Sequence, residues 1–117
     1  EIIKISSGAK SLDGVVCAEG GASLAKMPGG NAWKAKYDAK YPGQFQVYSP
    51  YTYDATFLIV DAMKRANSVD PKVYVNELAK SNFKGVTANI AFESNGEMKN
   101  PAITLYKYVD GKKTALN

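Results

Sequence analysis

The residues best suited to chemistry are tyrosines: of the eight in the chain, Tyr48, Tyr51 and Tyr53 bracket the Ser49-Pro50 pair at the start of a helical pattern. A phenol carries a flat apolar ring and a hydroxyl that both donates and accepts, which suits the edge of a small-molecule cleft. The plainer alternative packs the rings and leaves the hydroxyls to water. Two carboxylate pairs, Asp54 with Asp61 and Glu93 with Glu97, have the residue types for general acid–base work, but their settings read as solvated helix faces and turns. The chain has no histidine, which removes Ser-His-Asp hydrolysis, a Cys-His nucleophile and a Cys/His metal site. Its single cysteine, Cys17, cannot form an internal disulfide and reads as a small buried apolar residue. Glu19-Gly20-Gly21-Ala22-Ser23 and Pro28-Gly29-Gly30-Asn31 match neither glycine-rich phosphate-binding pattern. Glu93-Ser94-Asn95-Gly96-Glu97 lacks the ligand spacing of an EF-hand loop. No catalytic set, metal site or cofactor is expected.

The elements that must position those tyrosines are punctuated by proline, glycine and asparagine. Glu1 to Ser6 reads as the end of a helix, and Ser7 to Gly14 as a polar loop feeding a short buried strand, Val15-Val16-Cys17-Ala18. Gly20 through Gly30 is rich in breakers and reads as a connector with at most one irregular turn, able to cross between two lobes. Asn31 is the expected N-cap of a helix whose Trp33, Tyr37 and Tyr41 form one aromatic stripe, ended by Pro42-Gly43. Ser49-Pro50 opens the strongest helix, with Ala55, Leu58, Ile59, Ala62, Met63 and Ala66 as its core-facing stripe. Asp70-Pro71 caps a third helix carrying Val73, Tyr74 and Leu78, which fades near Ser81-Asn82. The period then drops to two around Ile90 and Phe92, Asn95-Gly96 marks a turn, Ile103 to Val109 is a strand, and Asp110-Gly111 turns the chain again. There are too few strands here for a parallel sheet, so the stripe of the second helix is expected to need a sheet from earlier chain.

With 117 residues, 45% apolar and 22% charged, the chain is expected to be a water-soluble globular piece of one domain at most. Its longest apolar run, Phe57-Leu58-Ile59-Val60, falls far short of the roughly 20 residues that cross a bilayer. The chain opens at Glu1-Ile2-Ile3-Lys4 without an initiator methionine, so the gene product is expected to begin upstream. The net charge is +4, and fourteen of the fifteen basic residues are lysines scattered through every segment. That describes a solvated surface, not a nucleic-acid face.

The run Y-S-P-Y-T-Y-D-A-T-F-L-I-V-D-A-M-K-R-A from Tyr48 to Ala66 closely resembles the late helix of the branched-chain amino-acid (leucine/isoleucine/valine)-binding proteins of the periplasm. The order continues through D-P-K-V-Y, L-A-K-S and F-K-G-V-T-A-N-I-A-F-E-S-N-G-E-M-K-N-P-A-I-T-L-Y-K-Y, which is similar to that family's terminal helix, G-V-T turn, N-G hairpin and last strand. The resemblance covers nearly all of this chain but about the last third of a typical member.

What the resemblance implies is an α/β chain that forms the C-terminal part of a two-lobed type I periplasmic-binding-protein fold, incomplete as a lobe by itself. Residues 1–19 would belong to the second lobe and the approach to a hinge at Cys17, Ala18 and Glu19. Residues 20–102 would be mainly first-lobe helices and hairpin, and 103–117 the return strand. The implied function is ligand capture without chemistry: two lobes close on an amino acid and dock on the membrane permease subunits of an ABC-type importer. In the family the ligand's carboxylate and ammonium are held by segments that precede Glu1. Of the cleft-lining positions only an aromatic just before the long helix maps here, at Tyr48, with Tyr51 its neighbour. By itself the piece is expected to bind little and to self-associate or exchange elements between copies. The alternatives are a sensor domain of the same fold, a small enzyme independent of histidine, and an interaction module with no small ligand.

Overall fold

The computed structural model describes residues 9–116; the helix end expected at Glu1 to Ser6 lies outside the described residues. In chain order, a 3-10 turn at Ala9–Leu12 leads into β1 (Val16–Gly20), and a second at Leu24–Lys26 leads into the helices α1 (Gly30–Lys40), α2 (Ser49–Ala66) and α3 (Pro71–Ala79). The strands β2 (Asn82–Lys84), β3 (Asn89–Ala91), β4 (Ile103–Val109) and β5 (Lys112–Ala115) follow. The chain divides into two units: the described residues up to Ser23 together with those from Pro101 on, and Leu24–Asn100.

The first unit is a three-stranded antiparallel sheet in the order β1-β4-β5. Its register runs from Val16 opposite Lys107 to Gly20 opposite Ile103. Thr104 and Tyr108 of β4 are buried, Tyr106 half-buried and the residues between them exposed, the alternation of a strand with one covered face. Asp110 and Gly111 have φ of 48° and 72°, and they join Val109 to Lys112, which pair across the hairpin. Two successive left-handed residues make the primed turn whose twist suits adjacent strands, and Asp-Gly is a favoured pair for it.

In the second unit α1 is capped one turn's edge earlier than expected. The N-cap is Gly29, without a side-chain cap bond, and Asn31 lies inside the first turn. A Cβ at Gly30 would overlap the Leu24 carbonyl oxygen and stand 2.9 Å from Met27 Cβ, so the helix starts where the chain folds tightly onto the 3-10 turn. The aromatic stripe forms as expected, with Trp33 stacked on Tyr37 at 4.8 Å and Tyr37 at 5.2 Å from Tyr41.

Helix α2 has Pro50 in its first turn, where no N–H bond is lost. Its buried positions are Pro50, Asp54, Leu58 and Ala62, one residue in four down a single face. Ile59, Met63 and Ala66 of the expected stripe are half-buried, whereas Ala55 is exposed. On the described residues, the face that folds inward is therefore rotated toward Asp54, because α3 packs against α2 and the β2–β3 loop bonds to Asp54. Asn67 ends α2 with φ 48° and its N–H on the Lys64 and Met63 carbonyls. Asp70 caps α3, its Oδ1 accepting the Lys72 N–H at 2.9 Å. Arg65 then ties the two helices: Nε donates to Asp61 at 2.9 Å, Nη1 to the Glu77 carbonyl at 2.7 Å and its carboxylate at 3.0 Å, and Nη2 to Ser81 Oγ at 2.7 Å. Strand β2, which the sequence did not announce, pairs antiparallel with β3 through Phe83 opposite Ile90. The expected Asn95-Gly96 turn is present, with Gly96 at φ 87° and the Glu97 N–H donating to Asn95 Oδ1 at 3.0 Å.

Candidate functional site

Between α1 and the first half of α2 lies an open groove of about 450 Å³. Trp33 and Tyr37 line it from α1, Tyr53 and Phe57 from α2, and Tyr48 from the residue that caps α2. The rings are in contact through Trp33 to Tyr53 at 5.6 Å, edge to face, and Tyr53 to Phe57 at 4.7 Å. The polar lining is Gln46, Ser49, Thr52 and Thr56. Ser49 Oγ accepts the Gln46 N–H at 3.0 Å and Thr56 Oγ1 donates to the Thr52 carbonyl at 2.8 Å, so these hydroxyls already have local partners. No lining residue is charged. The groove can therefore present ring faces and neutral hydrogen-bonding groups, and no charged side chain.

Tyr48 is 73% exposed and faces this groove. Tyr51, one helical position off that face, is half-buried and does not line it. Tyr53 does, through its ring contacts with Trp33 and Phe57. Cys17, Ala18 and Glu19 lie inside β1, opposite Tyr106, Leu105 and Thr104. Cys17 is half-buried, not buried as expected, because β1 is an edge strand of its sheet. Glu19 is paired with Lys113 at 2.6 Å. Partial burial works against the Lys113 ammonium, yet the hydrogen bond and charge of Glu19 outweigh it and hold Lys113 above the usual lysine range.

Sequence reasoning also placed Asp54 wrongly. It is 2% exposed, not on a solvated helix face. Its carboxylate accepts the Val86 N–H at 2.8 Å, the Thr87 N–H at 2.7 Å and the Thr87 hydroxyl at 2.6 Å. The Val86 carbonyl in turn accepts the Gly29 N–H at 3.0 Å, at the start of α1. Asp54 of α2 thus grips a loop that grips α1, and the two walls of the groove are joined through it. Buried carboxylates survive when donors satisfy them, and this one is spent on architecture, not on acid–base work. The signal for it was its spacing, four residues before Leu58 and eight before Ala62 on the buried ridge.

Among the described residues no three His, Cys, Asp or Glu side chains gather as a metal site, and no helix is long and apolar enough to cross a membrane. The profile of a family described as periplasmic binding protein matches residues 3–113. No curated protein matches the chain. Among solved structures, a leucine-binding protein from Thermotoga maritima superposes with a TM-score of 0.80 at 22% identity, over 99% of this chain and 33% of that one. An ABC transporter substrate-binding protein from Desulfitobacterium hafniense, in complex with leucine, gives 0.75 at 18% identity, over 91% and 32%. The chain spans about a third of the length of these proteins and shares their mixed α/β fold over that third.

Proposed function

The chain belongs to the periplasmic binding protein family, and on that footing we propose that it is the C-terminal part of the solute-binding component of an ABC-type importer, capturing a branched-chain or related amino acid in the periplasm. The observation that carries this reading is the superposition of nearly the whole chain on a leucine-binding protein. No chemistry is involved: two lobes close on the ligand and the closed form docks on the permease subunits.

In this reading residues 1–19 and 103–117 belong to the second lobe and 20–102 to the first, which the division of the chain at Ser23 and Asn100 supports. Cys17, Ala18 and Glu19 are the approach to the hinge. Tyr48 is the ligand-facing aromatic, since it is the most exposed of the rings that line the groove, with Tyr51 its less favoured neighbour. The uncharged lining of the groove favours placing the groups that hold the amino acid's two charges in other segments of the parent. Tyr53, Phe57 and Val60 leave an apolar strip open on α2, and covering it is worth about 25 cal/mol per Å². That favours self-association, or exchange of elements between copies, when this piece stands alone.

Calorimetric titration tests the reading. Leucine, isoleucine, valine and their amides give no heat with the 117-residue chain, whereas a longer protein containing it binds at least one of them. A longer protein that binds none would overturn the amino-acid reading, and micromolar binding by this chain would overturn the assignment of the charged anchors elsewhere.

A further inference from the structure

Asn95 is followed by glycine, as no other asparagine of the chain is. Both residues stand exposed at the tip of a hairpin within the second unit. Phe92 pairs with Met98, the Glu93 N–H donates to the Glu97 carbonyl at 2.7 Å, and the Gly96 N–H donates back to the Glu93 carbonyl at 3.0 Å. Gly96 has φ 87°, whereas Asn95 has no positive φ. This is a type I turn followed by a left-handed glycine, a three-residue hairpin loop with Asn95 at the third position of the turn. The Asn95 side chain is held as well, its Oδ1 accepting the Glu97 N–H at 3.0 Å. A side-chain amide in reach of water and next to a residue without Cβ is open to attack by the following backbone nitrogen, because nothing shields the approach.

We propose that Asn95 is a site of spontaneous deamidation, and that the closed turn holds the reaction in check until the hairpin tip opens. The Gly96 nitrogen, its proton taken by solvent base, bonds to Asn95 Cγ; the Cγ–Nδ2 bond breaks, and ammonia leaves behind a five-membered imide. Water then opens the imide at either carbonyl, giving aspartate or isoaspartate. One water enters, one ammonia departs, and nothing is oxidised or reduced. In the closed turn the N–H of the nucleophile is committed to Glu93 and the oxygen of the electrophile to Glu97. A ψ of about 0° at the third position of a type I turn also rotates the Gly96 nitrogen away from the Asn95 side chain, so the ring closes only once the tip has opened. Other asparagines are placed less favourably. Asn67 precedes Ser68, whose N–H is bonded to the Met63 carbonyl at 3.1 Å, and Asn100 precedes Pro101, which has no N–H to lose. Isoaspartate adds one methylene to the main chain between Glu93 and Gly96, so the bond that closes the turn is lost and the Phe92–Met98 pairing with it. Either product sets a new negative charge between Glu93 and Glu97. The site is independent of the transport reading.

Incubating the 117-residue chain in heavy-oxygen water at mildly alkaline pH, followed by peptide mapping, reads the reaction residue by residue as oxygen label gained and ammonia lost. The peptide that carries Asn95 converts ahead of every other asparagine and splits into two products of equal mass; another asparagine reacting first would overturn the site. The same chain in urea reacts about tenfold faster, as expected once two hydrogen bonds no longer hold the turn. Equal rates with and without urea would overturn the gating. Gly96→Ala has open space for its Cβ, and measuring it in urea removes the strain of a left-handed alanine from the comparison. There the added methyl slows the reaction about tenfold by obstructing the nitrogen's approach. An unchanged rate in that variant would show that ring closure by the Gly96 nitrogen is not the route.

Discussion

Replacing Asp54 by alanine deletes one acceptor shared by three donors, the Val86 and Thr87 N–H groups and the Thr87 hydroxyl. A hydrogen bond to an ionised acceptor contributes about 1.5–3 kcal/mol, so the gross loss is about 4–9 kcal/mol. Part of it is offset because a buried charge no longer has to be desolvated, and the net loss comes to about 3–5 kcal/mol, as when one member of a buried charged set is removed. A chain of this length has about 6–18 kcal/mol in total, so the variant stays measurable. Gly85 supplies the internal control: a Cβ there would overlap Asp54 Oδ2 and lie 3.1 Å from the Ala88 carbonyl. Gly85→Ala should therefore cost about 1–3 kcal/mol with the carboxylate present and clearly less once it is gone. Urea unfolding followed at Trp33, the sole tryptophan and a residue of the same unit, gives all four corners of the cycle. Coupling of at least about 1 kcal/mol is expected. The reasoning fails if Asp54→Ala costs under about 1 kcal/mol, or if the two changes add to within about 0.5 kcal/mol.

Arg65→Lys keeps the charge but cannot reach Asp61, Glu77 and Ser81 together; the half-exposed setting limits the loss to about 1 kcal/mol, and an unchanged urea midpoint would count against the tie. Asp70→Ala should cost about 1 kcal/mol by removing the cap of α3, with Asp70→Ser retaining most of it; helicity at raised temperature reads the difference. The hydrogen bond from Lys80, with the charges of Lys80 and Arg65, holds Glu77 below the usual carboxylate range. Its folded pKa lies under the unfolded one, so its stabilisation is complete above the unfolded value and is lost as pH falls through the folded value. Thermal midpoints of Glu77→Gln and wild type should thus differ at neutral pH and converge in acid. A gap that persists in acid would contradict the sign.

What was legible in the sequence was local. Ser49-Pro50 and Asp70-Pro71 start helices because a proline in the first turn loses no N–H bond, and at α3 the Asp70 side chain adds a cap. The strand at Ile103–Val109 and the Asp110-Gly111 hairpin follow from side-chain alternation and two left-handed residues. Less legible was whatever depends on a distant partner. Asp54 looks like surface until Val86 and Thr87, more than thirty residues on, arrive as donors. Asn31 is a better capping residue than Gly29, yet α1 starts at the glycines because Gly30 alone fits against the Leu24 carbonyl. Strand β2 has three residues, too short for a period to register. At the groove, the α1 stripe was readable from spacing, whereas the meeting of Trp33 with Tyr53 depends on how two helices pack.

The order β1-β4-β5 leaves the small sheet with two unlike flanks. On one side, among the described residues, β5 is exposed throughout and carries Lys112 and Lys113, the residue type that discourages edge-to-edge pairing. On the other, Val15 at 43% and Val16 at 54% exposure stand at the entry to β1, with no lysine in that strand. Among the described residues, an added strand is therefore expected to pair beside the valines before it pairs beside the lysines.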